Sequence, residues 1–528
     1  MVVITLCPLS APHPVTNAPI GKRHSTLTNG DGPGNAASLP WKDNIPKEVP
    51  VTVERTADAP TGISPGISPA AQGGTTLGGP ALEFRPGRWI ANWDAENKEQ
   101  WETQGRTIAR RNLNWSIFAE FLGFVVWQLW SIVVVQLPAA GFTFTTSEIF
   151  WLISMPSLVG ATLRIPYTFM VPRFGGRNWT IVSALLLLIP SIGLALCVSN
   201  PETPFGVMLF VAALAGFGGG NFASSMANIT FFYPAREKGW ALGLNAAGGN
   251  LGAAVAQLAV PIAITLLAAG TVNLPVAGLM WVPFILIAAF GAWKYMDNLT
   301  SAKGDVAGSL AALKEPHLWI MALLYIGTFG SFIGFAGVFP KLIKDYFPAF
   351  SSIGVGTVAL SLAFLGPLVG SLARPYGGRM ADRMGGARMT VAAFAAMAVI
   401  TLTMVWTLPL KNFWLFLGLF LLLFTASGFG NGATYRMIPI IFATSSRAAK
   451  SGASTVTTQR LASSALGLIS AIGAYGGFVI PQVLNASNSA SGSYTPAFYG
   501  FVGAYVVMLA VCWFCYIRNA NRNAMGHV

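Results

Sequence analysis

Apolar runs of about 20 residues or more recur twelve times along this chain, roughly at 115–137, 147–172, 178–198, 205–233, 239–267, 274–296, 317–339, 352–380, 389–408, 412–442, 452–480 and 496–517. A bilayer's hydrocarbon core is about 30 Å thick, so each run is long enough to cross it as a helix. Only 10% of the 528 residues are charged, 53% are hydrophobic, and the mean hydropathy is +0.58. Soluble domains carry about 25% charged residues. Open sheet edges cannot face lipid, so twelve runs imply twelve helices. The expected fold class is an all-α membrane protein.

The net charge of +13 is a feature of topology. One set of loops holds about fourteen Lys or Arg, among them Arg173, Arg177, Arg236, Lys238, Lys303, Lys314, Arg379, Arg383, Arg388, Arg447 and Arg518, and the opposite set only about three, Lys341, Lys344 and Lys411. This positive-inside bias puts both termini in the cytoplasm and gives no reason to expect a nucleic-acid partner. Residues 1–85 are rich in Pro, Gly, Ser, Thr and Ala and read as a disordered cytoplasmic tail. The prolines near the start and the lack of a basic leader argue against a signal peptide. Residues 86–114, with Trp89, Trp93 and Trp101 among charges, read as an interfacial, partly helical lead-in.

Two arginines stand inside apolar runs at matching places. Arg164-Ile165-Pro166-Tyr167 reaches Gly175-Gly176, and Arg374-Pro375-Tyr376 reaches Gly385-Gly386 at the same spacing. An arginine near mid-membrane costs at least a few kcal/mol unless compensated. Meeting that cost twice, at equivalent places, points to a site for an anion. Gly216-Phe217-Gly218-Gly219-Gly220 is likewise echoed by Gly428-Phe429-Gly430-Asn431-Gly432, and Ala241-Leu242-Gly243-Leu244 by Ala465-Leu466-Gly467-Leu468. Span 2 therefore pairs with 8, 4 with 10 and 5 with 11. Two parallel repeats of six spans result, residues 115–297 and 317–520, joined by a linker at 298–316 and followed by a short cytoplasmic tail at 521–528. That plan resembles the major facilitator fold, with a site between two six-helix bundles.

Other chemistry is thin. Cys512 and Cys515 form a CxxC in the last apolar run with no companion ligand, and read as helix packing. His13, His24, His317 and His527 are scattered. No nucleophile–base pair, metal spacing or cofactor motif is evident, so an enzyme is not expected and no cofactor is required. Glu120 is the one carboxylate well inside a span. It is a candidate proton carrier, an ion-pair partner, or a wet acid near the helix end. Arg436 and Arg460 sit at the inner ends of spans 10 and 11, as anion attractors or snorkelling cations.

Gly378-Arg379-Met380-Ala381-Asp382-Arg383-Met384-Gly385-Gly386 resembles the superfamily's loop motif, in which an acid and nearby arginines lock a gate. Gly378, Asp382 and Arg383 are its candidate residues. The first-half loop, Pro172-Arg173-Phe174-Gly175-Gly176-Arg177, has Pro172 where the acid should be. The stretch Gly216-Phe217-Gly218-Gly219-Gly220-Asn221-Phe222-Ala223-Ser224-Ser225-Met226-Ala227-Asn228-Ile229 resembles the first signature of the nitrate/nitrite porter family of NarK type, and Gly428–Thr434 the second. Gly160–Tyr167, Gly243–Asn245 and Tyr325–Phe335 are also similar, and the resemblance runs from about Trp89 to the end of the chain.

The resemblance implies that Arg164 and Arg374 hold the anion from opposite bundles, that Asn245 adds a polar contact, and that Phe217, Tyr325 and Phe329 wall a flat substrate. The repeat partner of Asn245 is Ile469, so the site should be asymmetric. It further implies nitrate and nitrite as substrates, the inner membrane as location, a role in nitrate assimilation, and exchange as the mode of transport. An arginine pair without a counter-charge would repel itself in a closed empty carrier, which makes exchange obligatory. Proton symport through Glu120 and a non-transporting anion sensor are the alternatives. The two-bundle plan needs no second subunit, so a functional monomer is expected.

Overall fold

The computed structural model describes residues 82–268, 272–302, 306–355, 358–445 and 455–518. Most of the expected N-terminal tail, the tail at 521–528, Lys303 and Arg447 lie outside them, as does the side chain of Arg460. Among the described residues, eleven helices are long and apolar enough to cross a membrane: α1 (Lys98–Val133), α2 (Thr146–Phe174), α3 (Gly176–Val198), α4 (Phe205–Phe232), α5 (Ala235–Leu266), α6 (Val276–Tyr295), α7 (Pro316–Tyr346), α9 (Gly386–Leu410), α10 (Phe413–Thr444), α11 (Leu461–Ser491) and α12 (Thr495–Arg518). The helix α8 (Leu365–Met384) completes the order. Its 20 residues span about 30 Å, but Arg374, Arg379, Asp382 and Arg383 lower its hydropathy. The chain is a multi-pass, all-α membrane protein.

Several boundaries differ from the sequence reading, among them the start of span 8 and the edge of the lead-in. Span 8 was expected from 352, yet 352–364 holds an antiparallel hairpin, Ile353–Val355 against Val358–Leu360, and a 3-10 turn. Apolar β-branched residues make such a segment hydrophobic without making it helical. The lead-in is tied down by a small sheet. β1 (Phe84–Arg85) pairs antiparallel with β2 (Trp89–Ile90), which pairs parallel with β3 (Asn298–Leu299) just after α6. β1 also lies on the tail side of the expected boundary at 86.

The repeat is visible in local geometry. α2 and α8 each end on a glycine with positive φ, Gly175 at 88° and Gly385 at 92°, a conformation that a Cβ disfavours. Each then turns directly into the next helix. The glycines of α4 let backbones meet: a Cβ on Gly219 would lie 2.9 Å from Gly160 Cα of α2. Small residues make such contact possible where lipid offers no hydrophobic drive. The bundles meet along two repeat-related seams, α2 with α11 and α8 with α5.

Among the described residues, the polar bonds between the bundles lie on one side. Gln482 donates to Ser154 (2.7 Å), Asn485 to Ser147 (3.1 Å), Gln257 to the Ala336 carbonyl (2.7 Å), the Ala359 amide to Thr265 (3.1 Å), and Lys344 to the Val135 carbonyl. All lie from mid-membrane toward the α1–α2 loop. On the face carrying Gly175 and Gly385, no hydrogen bond joins the bundles among the described residues.

Candidate functional site

Arg164 on α2 and Arg374 on α8 are buried, at 0% and 4% exposure. Both approach the ring of Phe222 on α4, with Cζ to centroid distances of 4.5 Å and 5.8 Å. Arg164 donates through Nε to the Gly219 carbonyl (3.1 Å) and through Nη1 to the Ser470 carbonyl of α11 (2.9 Å). Arg374 donates through Nη2 to the Tyr325 hydroxyl at a long 3.4 Å. Arg164 Nη2 and Arg374 Nη1 are buried and have no partner. A buried donor left unpaired costs about 1–3 kcal/mol, and more when charged. Two such donors, one from each bundle, flank a single ring. Their common complement is a small anion rimmed with acceptor oxygens, since guanidinium is planar and permanently charged.

The walls are aromatic. Tyr325 stacks on Phe329 (centroids 5.3 Å, 16°), and Phe329 stacks on Phe222 (6.1 Å, 28°). Phe329 lies in a π-helical turn, Ile326–Gly330, that interrupts α7 directly after Tyr325. Such turns gather at functional sites. Arg164 also faces Phe329 (5.0 Å) and Trp127 (5.4 Å), while Arg374 faces Tyr435 (5.3 Å). Each desolvated cation–π contact offsets up to about 2 kcal/mol of the cost of burying the charge. Of the residues expected here, Arg164, Arg374, Tyr325 and Phe329 come together. Phe217 is half-buried, and the α4 ring over both guanidiniums is that of Phe222. Phe222, Trp127 and Tyr435 escaped the sequence reading, although Phe222 stands within the first signature and Tyr435 directly follows the second.

Asn245 is fully buried in a neighbouring polar cluster. Its Nδ2 donates to Glu120 Oε2 (2.7 Å) and to Ser225 Oγ (2.6 Å), and Ser225 bonds Ser116 (2.9 Å). Glu120 Oε1 and Asn245 Oδ1 have no partner. Ser225 and Met226 follow Phe222 by three and four residues, so the cluster lies about one helical turn along α4 from that ring. Glu120 is 0% exposed and not wet. Its carboxylate interacts electrostatically with both Arg374 and Arg164.

In the second-half loop motif, Asp382 pairs with Arg436 of α10, an arginine read from sequence as an anion attractor or a snorkelling cation and not as the partner of the motif's acid. Arg383 is exposed. A Cβ on Gly378 would still clear the Gly432 carbonyl by 3.9 Å, whereas one on Gly377 would strike the backbone of Phe429. The first-half loop, lacking its acid, is held from α6. Asn298 Oδ1 accepts from the amide of Arg177 (3.0 Å), and the Arg177 Nη2 donates to the Trp293 carbonyl (2.7 Å). Beside it, buried Asp297 binds Arg88 (2.7 Å), Arg111 (2.6 Å) and Asn112 (3.1 Å).

Comparison with known proteins places this architecture. Residues 117–481 match the sequence model of the Major Facilitator Superfamily. The nitrate/nitrite transporter NarU of Escherichia coli is 42% identical over 452 residues, covering 81% of this chain and 96% of its own. NarU of Salmonella typhimurium is 43% identical, covering 82% and 97%. The probable nitrate/nitrite antiporter NarK2 of Thermus thermophilus is 36% identical, covering 83% and 98%. Among solved structures, that of the nucleoside transporter NupG is similar in fold, with a TM-score of 0.54 at 12% identity, covering 76% of this chain and 99% of its own. These relatives are transporters, not enzymes. The chain belongs to the NarK-type nitrate/nitrite porter family of the major facilitator superfamily.

Proposed function

We propose that this protein is a secondary active transporter that exchanges nitrate for nitrite across the inner membrane by alternating access. The observation that carries the reading is the pair of unpartnered guanidinium nitrogens, Arg164 Nη2 and Arg374 Nη1, brought from opposite bundles to the ring of Phe222. Nitrate and nitrite are planar, monovalent and rimmed with acceptors, and they fit between forked donors and aromatic walls. The names of the relatives support the same substrates. Bonds between the bundles on the α1–α2 side support a carrier closed toward that face. With the basic loops in the cytoplasm, that closed face is external. Asp382 with Arg436 ties α8 to α10 within the second bundle, on the inner side. Glu120 is the candidate proton carrier, and one chain suffices for the cycle.

A second reading, nitrate–proton symport, is favoured by the burial of Glu120 beside both arginines. Charge counting separates the two. With Glu120 ionised, the empty site carries +1; with nitrate and a proton aboard it also carries +1, so a symporter crosses loaded and empty at equal charge. In exchange, the two loaded legs match and the empty one does not. Uptake of labelled nitrate into liposomes preloaded with nitrite, or left empty, with and without an inward proton gradient, decides. Uptake that needs internal nitrite and ignores the gradient establishes exchange. Gradient-driven uptake into empty vesicles establishes symport.

A further inference from the structure

We infer that the hydroxyl of Tyr435 is a third donor of the anion site, placed for the third oxygen of nitrate, and that it weights the site toward nitrate over nitrite. The inference rests on the reading of Arg164 and Arg374 as the anion site, and deepens it to a residue that tells the two substrates apart.

The position of Tyr435 on α10 is fixed from both flanks. Thr434 shares a hydrogen bond with Thr328 in the π-helical turn of α7 (3.1 Å), and Arg436 pairs with Asp382 of α8. Between them, the ring of Tyr435 faces the Arg374 guanidinium (5.3 Å), which also faces Phe222 of the other bundle (5.8 Å). Tyr325 is the next ring, at 6.3 Å. The Tyr435 hydroxyl is buried and has no partner. It interacts electrostatically with Tyr325, Arg374, Glu120 and Arg164, so the hydroxyl as well as the ring lies among the groups of the site. Asn431, one turn earlier on the same face of α10, is buried with both atoms of its amide unpartnered.

Counting donors gives the specificity. Arg164 Nη2, Arg374 Nη1 and Tyr435 Oη are each buried and unpaired, and a phenol O–H can donate. Other polar side chains nearby are engaged or turned elsewhere. Asn245 spends both amide hydrogens on Glu120 and Ser225, and the Tyr325 oxygen receives Arg374 Nη2. The Asn221 amide lies against Gly123 of α1, where an added Cβ would come within 3.2 Å of it. The repeat counterpart of Tyr435 is Ala223, so the first bundle brings one donor and the second brings two. Nitrate has three oxygens for three donors. Nitrite has two, and turns its nitrogen lone pair, a poorer acceptor, to the third. A site that hydrogen-bonds one substrate group discriminates against the analogue lacking it, because the donor is then left unpaired.

Tyr435→Phe keeps the ring against Arg374 and removes only the O–H. The test titrates the full chain in detergent with nitrate and with nitrite by calorimetry, and follows thermal unfolding of the ion-free protein. Nitrate affinity should fall about tenfold and nitrite affinity about twofold or less. The ion-free variant should melt no lower than the wild type, since no hydrogen bond within the protein is lost. Equal losses for the two ions overturn the assignment to the third oxygen, and no loss for either overturns Tyr435 as a donor. A lower melting temperature of the ion-free variant assigns the hydroxyl a structural partner and overturns the inference as well. In these outcomes the anion site stands if Arg164→Ala abolishes binding of both ions. Binding untouched by Arg164→Ala, or no binding by the wild type, overturns the anion site itself.

Discussion

An arginine with an unused N–H group inside a membrane is a statement about what it waits for. Arg164 spends two nitrogens on carbonyls and keeps one, and Arg374 spends one on a long bond to Tyr325. Arg164→Lys retains the charge and loses the fork. It should weaken nitrate binding at least about tenfold, roughly 1.4 kcal/mol, with normal membrane insertion, as read by nitrate titration of the purified variant. Phe222→Leu should impair uptake by a similar factor, because it removes the one ring facing both guanidiniums, while Phe217→Leu should cost little. The contrast also marks what residue types can disclose. A charge in an apolar run is legible because it is expensive there. A phenylalanine in a chain with 35 of them is not, and only packing tells Phe222 from Phe217. Glu120 was legible as an oddity, but its link to Asn245 depends on α1, α4 and α5 meeting, which no local pattern records.

At the scale of elements, the two halves hold their inner loops by different means. In the second, Asp382 and Arg436 form an ion pair with side chains 51% and 38% exposed, the kind worth about 0–1 kcal/mol. In the first, Asp297 is fully buried and receives two arginines and an asparagine, binding the lead-in, α1 and the exit of α6 together. Removing one partner of a buried pair costs about 3–5 kcal/mol, lessened here because Arg88 and Arg111 remain part-exposed. Asp297→Ala should therefore lower the apparent melting temperature by roughly 5 °C or more, and Asp382→Ala by much less. Equal shifts in thermal unfolding of the two variants would contradict this account. The sequence showed that Pro172 leaves the first loop without its acid. It could not show Asp297 nearby, because the link runs between residues about 125 apart and through strands of two residues each. Helices were legible by length and hydropathy. The hairpin near 353–360 was not, since apolar strand and apolar helix look alike over so short a stretch.

The whole molecule is two repeats that must part on one face while closing on the other. Its cross-bundle bonds lie toward the α1–α2 loop, with Arg164 and Ser470 at their inner limit. The twofold plan was readable from paired motifs 210 to 224 residues apart, yet which face is sealed is a property of state, and one sequence encodes every state of the cycle. The seam offers a direct test. Ser147 on α2 and Asn485 on α11 are hydrogen-bonded at 3.1 Å near the sealed face. Cysteines at both positions, joined by a short bifunctional thiol reagent, should hold that face closed. If the bundles rock about the arginine pair, the bridged protein should lose nitrate–nitrite exchange in liposomes almost completely yet still bind nitrate from the opposite face. Cleaving the bridge should restore exchange, and either single cysteine treated alike should leave it intact. Undiminished exchange in the bridged protein would mean that the seam between α2 and α11 does not open in the cycle, and that the anion passes the arginines by a narrower local movement.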